Sequence, residues 1–192
     1  MGKGRIEAFS DGVIAIIITI MVLEMKVPHG AAWADIATLG PVFLSYVLSF
    51  LNVGIYWNNH HHLLHAAKRV NGRILWANMH LLFWLSLMPF TTGWMGENHF
   101  APAPVALYSF DLLMCAIAYF ALQQQIISLH GNESPLANAI GGDNKGKASL
   151  TAYLIAIPLA FLGYSWLAGA LLILVTLMWF IPDRRIEKAL DE

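Results

Sequence analysis

Charge is what this chain has least of. Only 12% of its 192 residues are charged, while 58% are hydrophobic. A soluble domain carries about 45–50% apolar and about 25% charged residues, so this chain cannot cover a water-facing surface. The net charge of −1 gives no basic field, which argues against a nucleic-acid partner. A single cysteine, Cys115, sits inside an apolar run; it excludes a disulfide framework and reads as a small buried hydrophobe. Period-2 alternation is also missing, which disfavours a membrane β-barrel. Nor does the first apolar stretch, Val13 to Leu23, end in a small-residue cleavage site; Glu24, Lys26 and Pro28 follow it, so it reads as a retained helix rather than a signal peptide.

Long apolar runs are what remains, and their solvent is lipid. Six are read: Ile6–Val27, Ile36–His62, Ile74–Trp94, Pro104–Leu129, Leu150–Tyr164 and Trp166–Ile181. The ~30 Å hydrocarbon core needs about 20 helical residues. The first four comply, and the last two, joined through Gly163–Ala168, read as a short helical hairpin. The expectation is an all-α membrane protein, one six-helix transmembrane domain over residues 1–192. Basic residues orient it. Lys3, Arg5, Lys68, Arg69, Arg73, Lys145, Lys147, Arg184, Arg185 and Lys188 fall on one side, ten of the eleven, and only Lys26 falls on the other. Both termini are therefore placed in the cytoplasm. The Gly/Asn-rich loop Gly131–Lys147 is read as the most flexible segment.

Ionisable and amide side chains inside such runs need a partner or a task. Arg5, Ser10 and Asp11 open the first span; Trp57, Asn58, Asn59, His60, His61 and His62 close the second; Asn78 and His80 open the third. The topology sets these groups at one depth, one to two turns above the cytoplasmic edge, which predicts a shared hydrogen-bond cluster. Structural glue between helices and a gating or proton-sensing role are both open, the latter resting on His60. On a wheel of ~100° per residue, Gly12, Ile16, Thr19, Ile20 and Leu23 share one face of the first span, away from Asp11. Lipid contact, packing and a functional surface are all open for that stripe. Asp111 is a further isolated carboxylate, either hydrogen-bonded near the outer edge or carrying a proton or coupling ion.

Arg5-x-x-x-Phe9-Ser10-Asp11, with Trp57-x-x-His60, Asn78 and Pro89, resembles the signature of the transmembrane protein 175 family, the lysosomal potassium channels and their prokaryotic relatives. The resemblance is close over the first three helices and extends to the rest only by length and hydropathy. It implies a potassium-conducting cation channel of the cell membrane, a homotetramer with the first helix of each subunit on the central axis. It also implies constrictions at Ile16 and Leu23 with the hydroxyl of Thr19 between them, and a structural or gating network of Arg5, Phe9, Ser10, Asp11, His60 and Asn78. Like the family, the chain has no Thr-Val-Gly-Tyr-Gly filter, so modest selectivity over sodium is expected. No cofactor or bound metal is expected, and the partners are membrane lipid, permeant K+ and other copies of the chain. The alternatives are a secondary transporter or proton-coupled carrier and, more remotely, a histidine-metal enzyme, which the spacing of His60, His61, His62, His65, His80 and His99 argues against.

Overall fold

A computed structural model describes residues 2–131, 137 and 143–180. Among them every regular element is a helix: α1 (Lys3–Leu23), α2 (Trp33–Ala37), α3 (Gly40–Ala66), α4 (Gly72–Leu85), α5 (Met88–Glu97), α6 (Pro102–His130), α7 (Asn144–Phe161) and α8 (Ser165–Phe180). By length and composition four segments are candidate membrane spans: Lys3–Leu23, Gly40–Ala66, Gly72–Glu97 and Pro102–His130. The α7–α8 hairpin is shorter. At ~1.5 Å per residue the 16 residues of α8 reach roughly 24 Å, less than the ~30 Å core.

The boundaries differ from the sequence reading where proline and capping chemistry intervene. The second span does not begin at Ile36. A separate short helix, α2, is held by the Asp35 carboxylate, whose Oδ2 accepts from the Ala32 N–H at 2.9 Å. The next helix starts at Gly40, with Pro41 in its first turn, where the missing N–H leaves nothing unpaired. The third span is broken. Pro89 cannot donate to the carbonyl of Leu85 and its ring would clash there, so α4 ends at Leu85 and α5 begins at Met88. Ser86 closes the junction by donating Oγ–H to the Phe83 carbonyl at 2.7 Å. α7 begins at Asn144, six residues before Leu150, because Asp143 caps it through the Gly146 N–H at 3.1 Å. Lys145 and Lys147 therefore belong to a first helical turn, not to a loop. The rest of the Gly131–Lys147 loop reading falls mostly on residues 132–142, and Ile181, Arg184, Arg185 and Lys188 also lie outside the described residues.

α6 is the central post, packed against α4, α5, α7 and α8. Its inward face includes Tyr108, Leu112, Cys115 and Leu122, all fully buried. α3 and α5 approach backbone to backbone: a Cβ on Gly96 would lie 2.7 Å from the Val42 Cα, so glycine is required there. α1 lies on one flank, against α3, α4 and α5. Large apolar side chains such as Phe43, Trp76, Phe161 and Trp166 project outward, the inverse of a water-soluble surface.

Candidate functional site

The two faces of α1 have different fates. Ile6, Ser10, Ile14, Ile17 and Met21 are buried against the rest of the chain. These positions recur at spacings of three or four, the interval that keeps side chains on one helix face. Gly12, Ile16, Thr19, Ile20 and Leu23 make the opposite, exposed face; Ile16 is 58% and Leu23 77% exposed. Thr19 donates its hydroxyl proton to the Ile16 carbonyl at 2.9 Å. That bond consumes the donor and leaves the Oγ1 lone pairs to face outward, so the only side-chain polar atom on this face is an acceptor. Beside the face runs an apolar groove of about 570 Å³, lined by Ile16, Ile20, Pro89, Phe90 and Trp94, with Glu24 and Glu97 among its residues.

The buried face is fixed by a three-residue relay. Asn78 Nδ2 donates to Ser10 Oγ at 2.9 Å, and Asn78 Oδ1 meets His60 Nε2 at 2.7 Å. With Nδ2 committed to Ser10, Oδ1 must accept, so His60 carries its proton on Nε2. All three residues are at most 1% exposed. One residue from each of α1, α4 and α3 is thereby joined in a region without water, where every unmade bond is costly.

Asp11 is not in the relay. It is partly buried, and its Oδ1 accepts from the Trp57 indole N–H at 3.0 Å. Trp57 thus holds Asp11 directly, while His60, three residues further along α3, reaches the adjacent Ser10 only through Asn78. Arg5 is exposed and its side chain makes no ion pair or hydrogen bond among the described residues, and Phe9 is exposed as well. Nearby, Lys3 donates Nζ–H to the His65 carbonyl at 2.7 Å.

Sequence reasoning missed a second polar system, deeper in the bundle. Thr92 donates to Ser49 at 2.6 Å, Ser49 meets the Tyr108 hydroxyl at 2.9 Å, and Thr176 donates to Asn52 Oδ1 at 3.1 Å. It ties α3 to α5, α6 and α8. Its only signal in sequence is hydroxyl and amide residues inside apolar runs, and that signal carries no partner. Asp111 is 2% exposed; its Oδ2 accepts from Thr91 at 3.0 Å while Oδ1 has no partner among the described residues. Among the described residues no group of His, Cys, Asp and Glu could hold a metal ion. His60 points inward, whereas His61 and His65 stack on the exposed face, ring centroids 6.1 Å apart.

Comparison with known proteins places this geometry. Residues 5–89 match the family model described as endosomal/lysosomal potassium channel TMEM175. A potassium channel of Chryseobacterium sp. (strain P1-3) is 56% identical over 192 residues, all of both chains. The endosomal/lysosomal proton channel TMEM175 of Rattus norvegicus is 34% identical over 134 residues, 63% of this chain and 26% of that protein. The fold matches the crystal structure of a lysosomal potassium-selective channel TMEM175 homologue from Chamaesiphon minutus with a TM-score of 0.80 and 26% identity, over 94% of this chain and 97% of that one. Alike in sequence over its whole length and in fold over 94% of it, the chain belongs to the TMEM175 family.

Proposed function

We propose that this chain is one subunit of a homotetrameric, potassium-conducting channel of the cell membrane, with α1 of each subunit on the central axis. The observation that carries the proposal is the exposed face of α1, where two apolar side chains, Ile16 and Leu23, flank one outward acceptor, Thr19 Oγ1. One such face cannot enclose a path; four copies around an axis do. The apolar groove along α1 and α5 supplies a surface for the neighbouring subunit. Residues 1–192 then act as one unit of six membrane helices, α7 and α8 forming the shorter pair, with both termini cytoplasmic by the distribution of basic residues.

The proposed mechanism follows from the face. Four Ile16 side chains form an apolar collar that controls conduction by dewetting, with a second constriction at Leu23, seven residues or roughly 10 Å further along the helix. Between them, four Thr19 oxygens replace part of the ion's hydration shell. Because each oxygen is a lone side-chain acceptor rather than one of a rigid ring of carbonyls, potassium is preferred over sodium only modestly. The Ser10–Asn78–His60 relay and the Asp11–Trp57 bond set the rotation of α1, and so decide which face meets the axis; Arg5 and Phe9 act at the cytoplasmic entry to that packing.

Flux of potassium against sodium through proteoliposomes tests the reading. Ile16→Asn is expected to raise flux and weaken discrimination. Thr19→Val is expected to lower the potassium preference without disturbing assembly. Unaltered flux and selectivity in both folded variants would remove α1 from the pore. Protons belong in the same assay, since the mammalian relatives are named proton channels. The transporter alternative rests on Asp111, and resolved single-channel current steps argue against it. The metal-enzyme reading has no place in an ion-channel family.

A further inference from the structure

A partly enclosed cavity of about 170 Å³ lies between α3, α6, α7 and α8, away from α1. Its walls are mostly apolar and aromatic, including Tyr56, Phe120, Leu150 and Tyr153. Most other polar side chains around it are already committed. Asn52 binds Leu48 and Thr176; Asn59 Nδ2 donates to the Ile55 carbonyl; Tyr119 donates to the Asn59 carbonyl; Ser149 donates to Lys145 and accepts from Trp179. Gln123 also lines the cavity, is 4% exposed, and its Nε2 has no hydrogen-bond partner among the described residues. Buried amide donors are almost always satisfied, so an orphan beside empty space points to something that completes it.

The surroundings narrow what that is. The two charged residues of the lining, Asp143 and Lys147, oppose each other in sign, and Asp143 is occupied in capping the Gly146 N–H; an ion gains nothing there. Water needs two to four polar partners; the Gln123 amide and the Tyr56 and Tyr153 hydroxyls, which make no hydrogen bond among the described residues, offer that many, so ordered water is what a ligand's acceptor displaces, while the apolar walls favour a ligand that also carries a ring. A plain acyl chain would fill the space and leave the amide unanswered. In size, a cavity of ~150 Å³ holds one benzene ring. Phe120, 44% exposed, opens the site toward lipid.

We infer that this cavity binds a neutral amphiphile of single-ring size bearing one hydrogen-bond acceptor, drawn from the membrane and anchored by the Gln123 amide. The inference stands apart from ion conduction, and its test reads binding. Full-length protein in lipid nanodiscs is titrated with acetophenone and with ethylbenzene, which has the same ring and reach but no acceptor, using saturation-transfer NMR and thermal shift. Acetophenone is expected to bind saturably and about tenfold more tightly. Gln123→Leu should erase that preference by weakening acetophenone alone. Ala116→Phe, which fills the cavity, should abolish binding of both. Absence of saturable binding to wild-type protein, equal affinity for the two probes, or a preference that survives Gln123→Leu would overturn the inference, whether or not Ala116→Phe folds.

Discussion

Asn78→Leu removes the middle of the relay while keeping the volume of the side chain. His60 Nε2–H loses its acceptor and Ser10 Oγ loses its donor, and both residues are at most 1% exposed, so neither finds water. A buried group left unpaired costs ~1–3 kcal/mol. Interhelical hydrogen bonds in membranes average lower, ~0.6 kcal/mol, because the unfolded chain there also finds partners. Two stranded groups, weighed between these limits, predict a loss of about 2–4 kcal/mol. In a protein of 150–250 residues each kcal/mol shifts Tm by ~2–4 °C, so the melting temperature in mild detergent should fall by roughly 5–15 °C. The decisive arm is the triple variant Ser10→Ala, His60→Phe, Asn78→Leu. With all three polar groups gone nothing is stranded, and the triple should be more stable than Asn78→Leu alone. A shift below 2 °C for Asn78→Leu, or a triple variant less stable than the single one, would refute the view that these groups act as one buried relay.

Asp11 yields a different expectation from the one its motif suggests. Its partner is the neutral Trp57 indole and it is only partly buried, so Asp11→Ala should cost about 1.5–3 kcal/mol, the range for a hydrogen bond to a charged group, rather than the ~3–5 kcal/mol of a broken buried ion pair. Asp11→Asn keeps the acceptor and should restore most of the loss in the same melting assay. At the other end of α1, Lys26 Nζ and Glu97 Oε1 are 2.7 Å apart, and this carboxylate holds the ammonium above its ordinary value of 10.5. A raised folded pKa contributes stability that is full below 10.5 and lost only as pH rises beyond it. The pair is mostly exposed, so it is also weak. Lys26→Gln should therefore leave a Tm profile between pH 6 and 9 flat and unchanged within error.

Depth was legible in the sequence; rotation was not. The fixed rise of a helix brings Ser10, His60 and Asn78 to one level, and these three are bonded. Asp11 and Arg5 lie in the same part of α1, but ~100° per residue turns Asp11 toward Trp57 and leaves Arg5 outside. Which neighbour a side chain meets depends on packing between helices, which composition and spacing do not encode. Long apolar runs announced six segments, yet their ends or continuity were misread wherever local chemistry decided them: Asp35 on Ala32, Pro89 against Leu85, Asp143 on Gly146. The outward face of α1 was visible as a wheel pattern because Gly12, Ile16, Thr19, Ile20 and Leu23 repeat at the helical interval. The hydroxyls of Ser49, Thr92, Tyr108 and Thr176 have no such pattern, since they lie on four helices and each pairs with a residue outside its own.

Thiol accessibility during conduction tests the central claim most directly. Ile16→Cys and Leu23→Cys, each in a Cys115→Ser background, are placed in planar bilayers and exposed to cadmium while single-channel potassium current is recorded. Ile17→Cys, on the buried face of the same helix, is the control. If α1 of each subunit lines the path, cadmium blocks the current at positions 16 and 23 and leaves position 17 untouched. Current that persists unblocked at 16 and 23 would contradict the account.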